Sequence, residues 1–374
     1  YKNLKTFKNN IKSNKMKNFC VNPFYSRHSM TLSDVDVPCC LVRPDENYSR
    51  EAIQQDFLNN KKSSYCHICW RDEANGRTSR RQADNRWLSY YTGKDLKTLY
   101  KNTEYSKLYF LQYKVSNLCN LACKTCGSFD STRWYAEDSH YGRSNYTGVS
   151  VNDDKKFTDA QLKTLVKLDL LGGEPFIDKT HIVLLKRLID CKNTNIHLNY
   201  ESNGQQMPNP ELYEVLTKFK NVQINLSIDA QNKIFEYVRY PGSWDKLLKV
   251  LDQLKSTSWH ITSYTTLSNI NVFYYDELFE WLMENFKLTD CWYQFVTNPI
   301  ELAVNVMPPK MKDEINKKFE AHKFKAFFKP IINTINQDFN IDLIDKFRQT
   351  IGKQDVYRKC NPKEYVPELI EYLY

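Results

Sequence analysis

From about Leu108 onward, short runs of β-branched and aromatic residues alternate with amphipathic segments. KLYFLQYKVS (Lys107–Ser116), VKLDLLGG (Val166–Gly173), IHLNYES (Ile196–Ser202), VQINLSID (Val222–Asp229), WHITSYTTLS (Trp259–Ser268) and CWYQFVT (Cys291–Thr297) each read as a strand. Between them, HIVLLKRLIDC (His181–Cys191), ELYEVLTKF (Glu211–Phe219), SWDKLLKVLDQLK (Ser243–Lys255) and YDELFEWLMENF (Tyr275–Phe286) repeat apolar residues at three-to-four spacing, the period of a helix with one buried face. Asp276 is placed to cap the last of these helices. Strand-then-helix units in series call for a parallel sheet with right-handed crossovers. Six units fall short of the eight of a closed barrel, so the expected fold is α/β, a partial (βα)6 TIM-like barrel. Chemistry in that architecture sits at the C-terminal ends of strands. The unusual strings fall there: Cys119–Cys126 after the first strand, Gly172–Gly173–Glu174–Pro175 after the second, Glu201–Ser202–Asn203–Gly204 after the third, and Ser227–Ile228–Asp229 after the fourth.

The first 100 residues lack this alternation. They carry five cysteines and the string CHICWRDEANGRTSRR, and read as a small, loop-rich, cysteine-rich domain that needs a metal staple. Beyond Pro308 the chain turns lysine-rich and helical. The expected organisation is a basic flexible tail over 1–17, a cysteine-rich domain over 18–100, the partial barrel over 107–300 and a helical C-terminal extension over 301–374.

Composition narrows the chemistry. The chain has 374 residues with only 10 glycines, where average usage would give roughly 26. No GxGxxG or GxxxxGK[ST] string occurs, which excludes the glycine-rich nucleotide-binding loops. The net charge of +9 does not call for a nucleic-acid partner: six lysines lie in the first 18 residues, and most others are interleaved with acids. No apolar run is long enough to cross a membrane, and the basic N-terminal stretch has no apolar core of the kind that marks a secretory signal. The expected compartment is the reducing cytoplasm, where clustered cysteines serve as metal ligands and not as disulfides.

Eight of the 11 cysteines fall in the first 126 residues, in two groups. Cys119-Asn-Leu-Ala-Cys123-Lys-Thr-Cys126 offers three thiolates on one loop at the mouth of the barrel, with no fourth Cys or His close in sequence. A structural zinc site wants four closed ligands; three corners and an open fourth suit an iron–sulfur cluster that also binds a ligand. Cys20, Cys39, Cys40, Cys66 and Cys69 form the second group, for which a zinc ribbon is the alternative reading.

CNLACKTC resembles the CxxxCxxC signature of radical S-adenosylmethionine (SAM) enzymes, with LGGEPFI, ESNG and SIDA matching that superfamily's later strand-end motifs in order over roughly Leu108–Pro299. The resemblance implies that Cys119, Cys123 and Cys126 hold a [4Fe-4S] cluster whose fourth iron binds SAM. Gly172, Gly173 and Glu174 would line the methionyl amino group, Ser202 or Asn203 and Asp229 the ribose, and Ser227 and Arg239 the SAM carboxylate. Thr125 stands where many members carry an aromatic residue that packs on the adenine. The chemistry implied is one-electron cleavage of SAM to a 5′-deoxyadenosyl radical that takes a hydrogen atom from a substrate, with the electron coming from a flavodoxin- or ferredoxin-like donor. Beside such a barrel, VPCC and CHICWRDE resemble the auxiliary-cluster domains called twitch or SPASM, which implies a second cluster on Cys20, Cys39, Cys66 and Cys69, with Cys40 the alternative to Cys39. The substrate class stays open between a peptide and a small polar metabolite. The rival from another class is a zinc-stapled module that binds RNA or protein without catalysis.

Overall fold

The computed structural model describes residues 16–29, 37–103, 107–143 and 148–373. Most of the basic tail expected over 1–17 lies outside the described residues. A single parallel sheet organises the fold, with strands in chain order: β1 (Ser26–Ser29), β2 (Phe110–Lys114), β3 (Lys167–Leu171), β4 (His197–Ser202), β5 (Asn221–Ser227), β6 (His260–Leu267) and β7 (Cys291–Phe295). All six neighbouring pairs are parallel. This is the half-barrel expected from the strand–helix alternation, with one strand more than the six. The extra strand, β1, comes from the cysteine-rich N-terminal stretch. Its four residues, SRHS, lack the β-branched and aromatic character that marks the others, so periodicity does not reveal it.

The helices behave as their spacing predicts. Ile182–Asp190, Pro210–Leu216, Trp244–Lys255 and Tyr275–Asn285 turn their apolar stripes onto the outer face of the sheet. There Leu168, Leu170, Leu198, Tyr200, Ile224 and Leu226 are fully buried in the main core. Ser243 caps its helix by accepting from the Lys246 backbone N–H. Asp276 is not a cap: the helix starts after Tyr274, and the carboxylate pairs with Lys318 at 3.0 Å.

The N-terminal stretch is more helical than its sequence suggests, with helices at Arg50–Leu58, His67–Ala74, Arg80–Thr92 and Leu96–Lys101 around a second apolar cluster that includes Phe19, Val21, Ile53 and Phe57. Ser79 and Gln82 form a capping box at the start of Arg80–Thr92. This helix lies against the concave face of the sheet. Arg80 reaches Asp169 of β3 at 3.4 Å, and Trp87 and Tyr91 pack on His197 of β4. The stretch beyond residue 300 is helical, led by Pro309–Ala321, Lys325–Ile335 and Asp342–Arg358. No helix among the described residues is long and apolar enough to cross a membrane.

Candidate functional site

The loop carrying Cys119, Cys123 and Cys126 leaves the C-terminal end of β2 and is held from several sides. Its backbone docks on the segment after β5: Ala122 N–H donates to Tyr240 O (2.6 Å) and Lys124 N–H to Val238 O (2.8 Å). That docking sets Arg239 beside the loop, with Nη1 3.8 Å from Cys123 Sγ and Nε 3.1 Å from the Asp229 carboxylate. The other Asp229 oxygen accepts the Thr266 N–H at 2.7 Å. On the opposite flank the end of β3 passes close beneath the loop: Gly173 N–H donates to Ser116 O and Glu174 N–H to Leu118 O, both at 2.8 Å. Gly172 has φ +146°, and a Cβ there would strike Ser116 O; one at Gly173 would strike Leu118 O. These two glycines are needed because backbone meets backbone, with no room for a side chain.

Glu174 is buried, and donors occupy both of its oxygens: Ser202 Oγ and Phe176 N–H at 3.0 Å on one, Asn203 N–H at 2.6 Å on the other. Its carboxylate therefore ties the end of β3 to the end of β4. Burial raises its pKa to about 7, against the lowering by these bonds. Asn203 Nδ2 in turn donates to Asn120 Oδ1 (2.7 Å) and lies 3.9 Å from Cys119 Sγ. Ser227 ends β5, beside Tyr264 of β6. Gly172, Gly173, Glu174, Asn203, Asp229 and Arg239 thus surround the cysteine loop, with Ser202 bound behind Glu174.

The three thiols feel one another. Cys119 is pushed up to about 12 by burial and then by Cys123; Cys126 is raised by burial, Asp130 and both other thiols. Cys123 is raised by burial while Arg239 and Arg358 pull it back. Buried thiols that discourage one another's ionisation become thiolates readily only when a cation supplies the missing charge, which is the donor chemistry of a metal site.

The second thiol group is assembled from distant parts of the chain. The pKa of Cys20 is raised by burial and by Cys66, Cys39 and Cys69; that of Cys39 by burial and by Cys40, Cys69 and Cys66. Burial moves Cys66 to about 12 and Cys69 to about 11. Cys40 points to other company. Its N–H donates to Gln112 Oε1 of β2 (3.1 Å), and its thiol is within electrostatic reach of Arg80 on the helix Arg80–Thr92 and of Tyr264 of β6 as well as of Cys39. Among the described residues, no three Cys, His, Asp or Glu side chains are drawn in tightly enough to hold a single metal ion.

Two features of the site had no sequence signal. Lys124, inside the cysteine loop, is fully buried, with Nζ 2.6 Å from Asp355 and 3.9 Å from the centre of the Tyr237 ring. Arg358 stacks on Trp134 and Tyr240 and pairs with Glu137 at 2.8 Å. Both partnerships bring helix Asp342–Arg358 against the back of the loop. They join residues more than 200 positions apart, which no local pattern records.

A parallel half-barrel with three thiols on its first mouth loop defines a class of cofactor-binding catalytic domain. In comparison with known proteins, residues 113–282 are similar to the model of the radical SAM superfamily. The GTP 3′,8-cyclase of Peptoclostridium acidaminophilum is 23% identical over 152 residues, which are 40% of this chain and 43% of that relative. The chain therefore matches less than half of the relative's length. Among solved structures, native anSMEcpe with bound AdoMet is similar over 64% of this chain and 65% of its own, with 15% identity and a TM-score of 0.41. Streptococcus suis SuiB bound to S-adenosylmethionine is similar over 72% and 52%, with 13% identity and a TM-score of 0.36.

Proposed function

We propose that the protein is a radical SAM enzyme with a second, auxiliary iron–sulfur site. The observation that carries the reading is the loop itself: Cys119, Cys123 and Cys126 lie side by side at the barrel mouth, docked against Arg239 on one flank and Gly172–Gly173 on the other. In this reading the three thiolates hold the [4Fe-4S] cluster. The bound cluster and SAM supply an electron-driven cleavage that generates an organic radical able to take a hydrogen atom from substrate.

The chain's own residues bind, orient and shield. The Arg239 guanidinium, held through Nε by Asp229, keeps Nη2 without a partner among the described residues and suits the SAM carboxylate. The Gly172–Gly173 backbone lines the methionyl end. Glu174 acts as a positioning residue, since its oxygens are occupied by Ser202, Phe176 and Asn203. Asn203 would meet the ribose, and Ser227 would join Arg239 at the SAM carboxylate. Cys20, Cys39, Cys66 and Cys69 hold the auxiliary cluster, supported by the mutual electrostatic coupling of their thiols. Cys40 stays outside that set, facing the barrel. The substrate sits in the polar concave face of the sheet beneath the loop, and a low-potential electron-transfer protein of the flavodoxin or ferredoxin type delivers the electron.

The test is anaerobic reconstitution followed by iron, sulfide and zinc analysis, and a dithionite-driven assay for 5′-deoxyadenosine from SAM. The reading requires a brown protein with about seven or eight irons that produces 5′-deoxyadenosine. A colourless protein that holds zinc and does not bind SAM would replace it with the zinc-stapled binding module.

A further inference from the structure

The concave face of the sheet is polar, level by level. Gln112, Asp169, Asn199 and Gln223 are register partners across β2 to β5, and Glu201, Asn225 and Thr262 across β4 to β6. In a closed barrel the inward positions are filled by branched apolar side chains that pack on one another. Amides and carboxylates at those positions cannot form such a core, and are suited to holding a polar guest.

The charges on this face do not balance. Arg80 pairs with Asp84 at 2.7 Å and Asp169 at 3.4 Å, Lys167 pairs with Asp169 at 3.1 Å, and Lys114 pairs with Asp130 at 2.7 Å. Each of these cations is committed to a carboxylate. Glu201, half-buried among them, makes no salt bridge among the described residues; Lys167 and Arg80 act on it only from a distance, and Asp169 opposes them. Its Oε1 accepts from Asn225 Nδ2 at 2.7 Å and Asn199 Nδ2 at 3.4 Å, and its Oε2 has no partner among the described residues. Asn199, on the same face two residues earlier, is 5% exposed, and its Oδ1 is buried without a hydrogen-bond partner. An unpaired carboxylate and an orphaned carbonyl on one wall are two costly vacancies for a donor. Burial raises Glu201 to about 7 and Asp169 adds to the rise, more than the Asn225 hydrogen bond and the distant Lys167 and Arg80 take back. The position is also apt. Glu201 precedes Asn203 by two residues, about 7 Å along the strand, and Asn203 touches the cysteine loop.

We propose that Glu201 and Asn199 form a subsite for a cationic nitrogen group of the substrate, an ammonium or a guanidinium. Glu201 supplies the counter-charge and Asn199 Oδ1 accepts a further N–H. This rests on the radical SAM reading and narrows its substrate to molecules, free or within a peptide, that carry such a group close to the reacting carbon.

The test is calorimetric titration of the reconstituted, SAM-loaded protein with agmatine and 1,5-diaminopentane as cationic probes, 1,5-pentanediol as the neutral control and GTP as the anionic one. The wild type should bind at least one cation about tenfold more tightly than the diol, the scale of a charged hydrogen bond. Glu201→Gln, which keeps the side-chain shape, should erase that margin while its far-UV circular dichroism stays that of the wild type. Should Glu201→Gln misfold, the wild type alone still decides through its preference among the four probes. Equal affinity for amine and diol, unchanged amine affinity in Glu201→Gln, or preference for GTP would overturn the subsite. Formation of 5′-deoxyadenosine by the wild type is read separately, so failure of the subsite and failure of the radical SAM reading are distinguishable.

Discussion

The two thiol groups reach similar chemistry by opposite routes. Cys119, Cys123 and Cys126 are neighbours in sequence, and one loop at the end of one strand brings them together. Cys20, Cys39, Cys66 and Cys69 span 50 positions and meet only because β1 joins the sheet and the helices around Phe19 and Phe57 pack together. Their electrostatic settings also differ. Two cations, Arg239 and Arg358, act on Cys123 of the loop, whereas in the N-terminal group a single cation, Arg81, acts on Cys66 and Cys69, and Cys20 and Cys39 have chiefly burial and the neighbouring thiols. Cations near a thiolate-held group stabilise added negative charge, so the loop is built to work with an anionic ligand.

The largest effect expected from breaking this comparison is on activity. Cys123→Ala should abolish 5′-deoxyadenosine formation. Cys69→Ala should lower the iron content by about four per chain while SAM cleavage persists; equal loss of cleavage in both would show that the two groups are not separable.

The support of the loop from behind comes next. Asp355→Ala strands the buried Lys124 ammonium and removes the acceptor of the Tyr237 hydroxyl. Denaturant unfolding should show a loss of about 3–5 kcal/mol, the cost of breaking a buried pair. Loss of under about 1 kcal/mol would mean that the C-terminal helix does not brace the loop.

A pH effect of nearly that size is expected from the outer core. His181 is buried against the Tyr200 hydroxyl at 3.0 Å, and burial lowers its pKa from 6.5 to about 4. The unfolded chain therefore binds the extra proton between about pH 6.5 and 4, and stability falls as pH drops through that window, by up to about 3 kcal/mol. His181→Gln should lessen the slope there without removing it, because burial also lowers His197 to about 4 and His28 to about 3; an unchanged slope would sink the assignment. A smaller loss, about 1–3 kcal/mol, is expected for Gly173→Ala, accompanied by weaker SAM binding, because the added methyl strikes the Leu118 carbonyl and lifts the loop. The smallest belongs to the exposed Lys186–Glu211 pair, whose double-mutant cycle should show no resolvable coupling at physiological salt, because solvent screens both charges.

Much of the barrel was legible because its signals are local. Strands β2 to β7 and the four helices between them follow periodicities of two and 3.6 residues, and each strand-end motif is contiguous. The alternation missed β1, whose four residues SRHS carry no pattern and form a strand only because β2 offers an edge. Asp276 was misplaced because a first-turn acid resembles a cap until a lysine, Lys318, is found opposite it. Glu201 was passed over in the string ESNG for the residues after it. Alternation along β4 points Tyr200 and Ser202 outward and Asn199 and Glu201 inward, and only the assembled sheet shows how the inward side is charged.

By itself the sequence determined the parallel strand–helix order, the three-thiol loop and the glycines beneath it, because each is written in consecutive residues whose geometry the backbone dictates. Tertiary structure decided that the Cys40 N–H meets Gln112 of β2, how helix Asp342–Arg358 braces the loop through Lys124 and Arg358, and that Glu201 makes no salt bridge among the described residues while Lys167 and Arg80 act on it from a distance. Those are properties of side chains brought together from distant parts of the chain, where burial and charge depend on every neighbour at once.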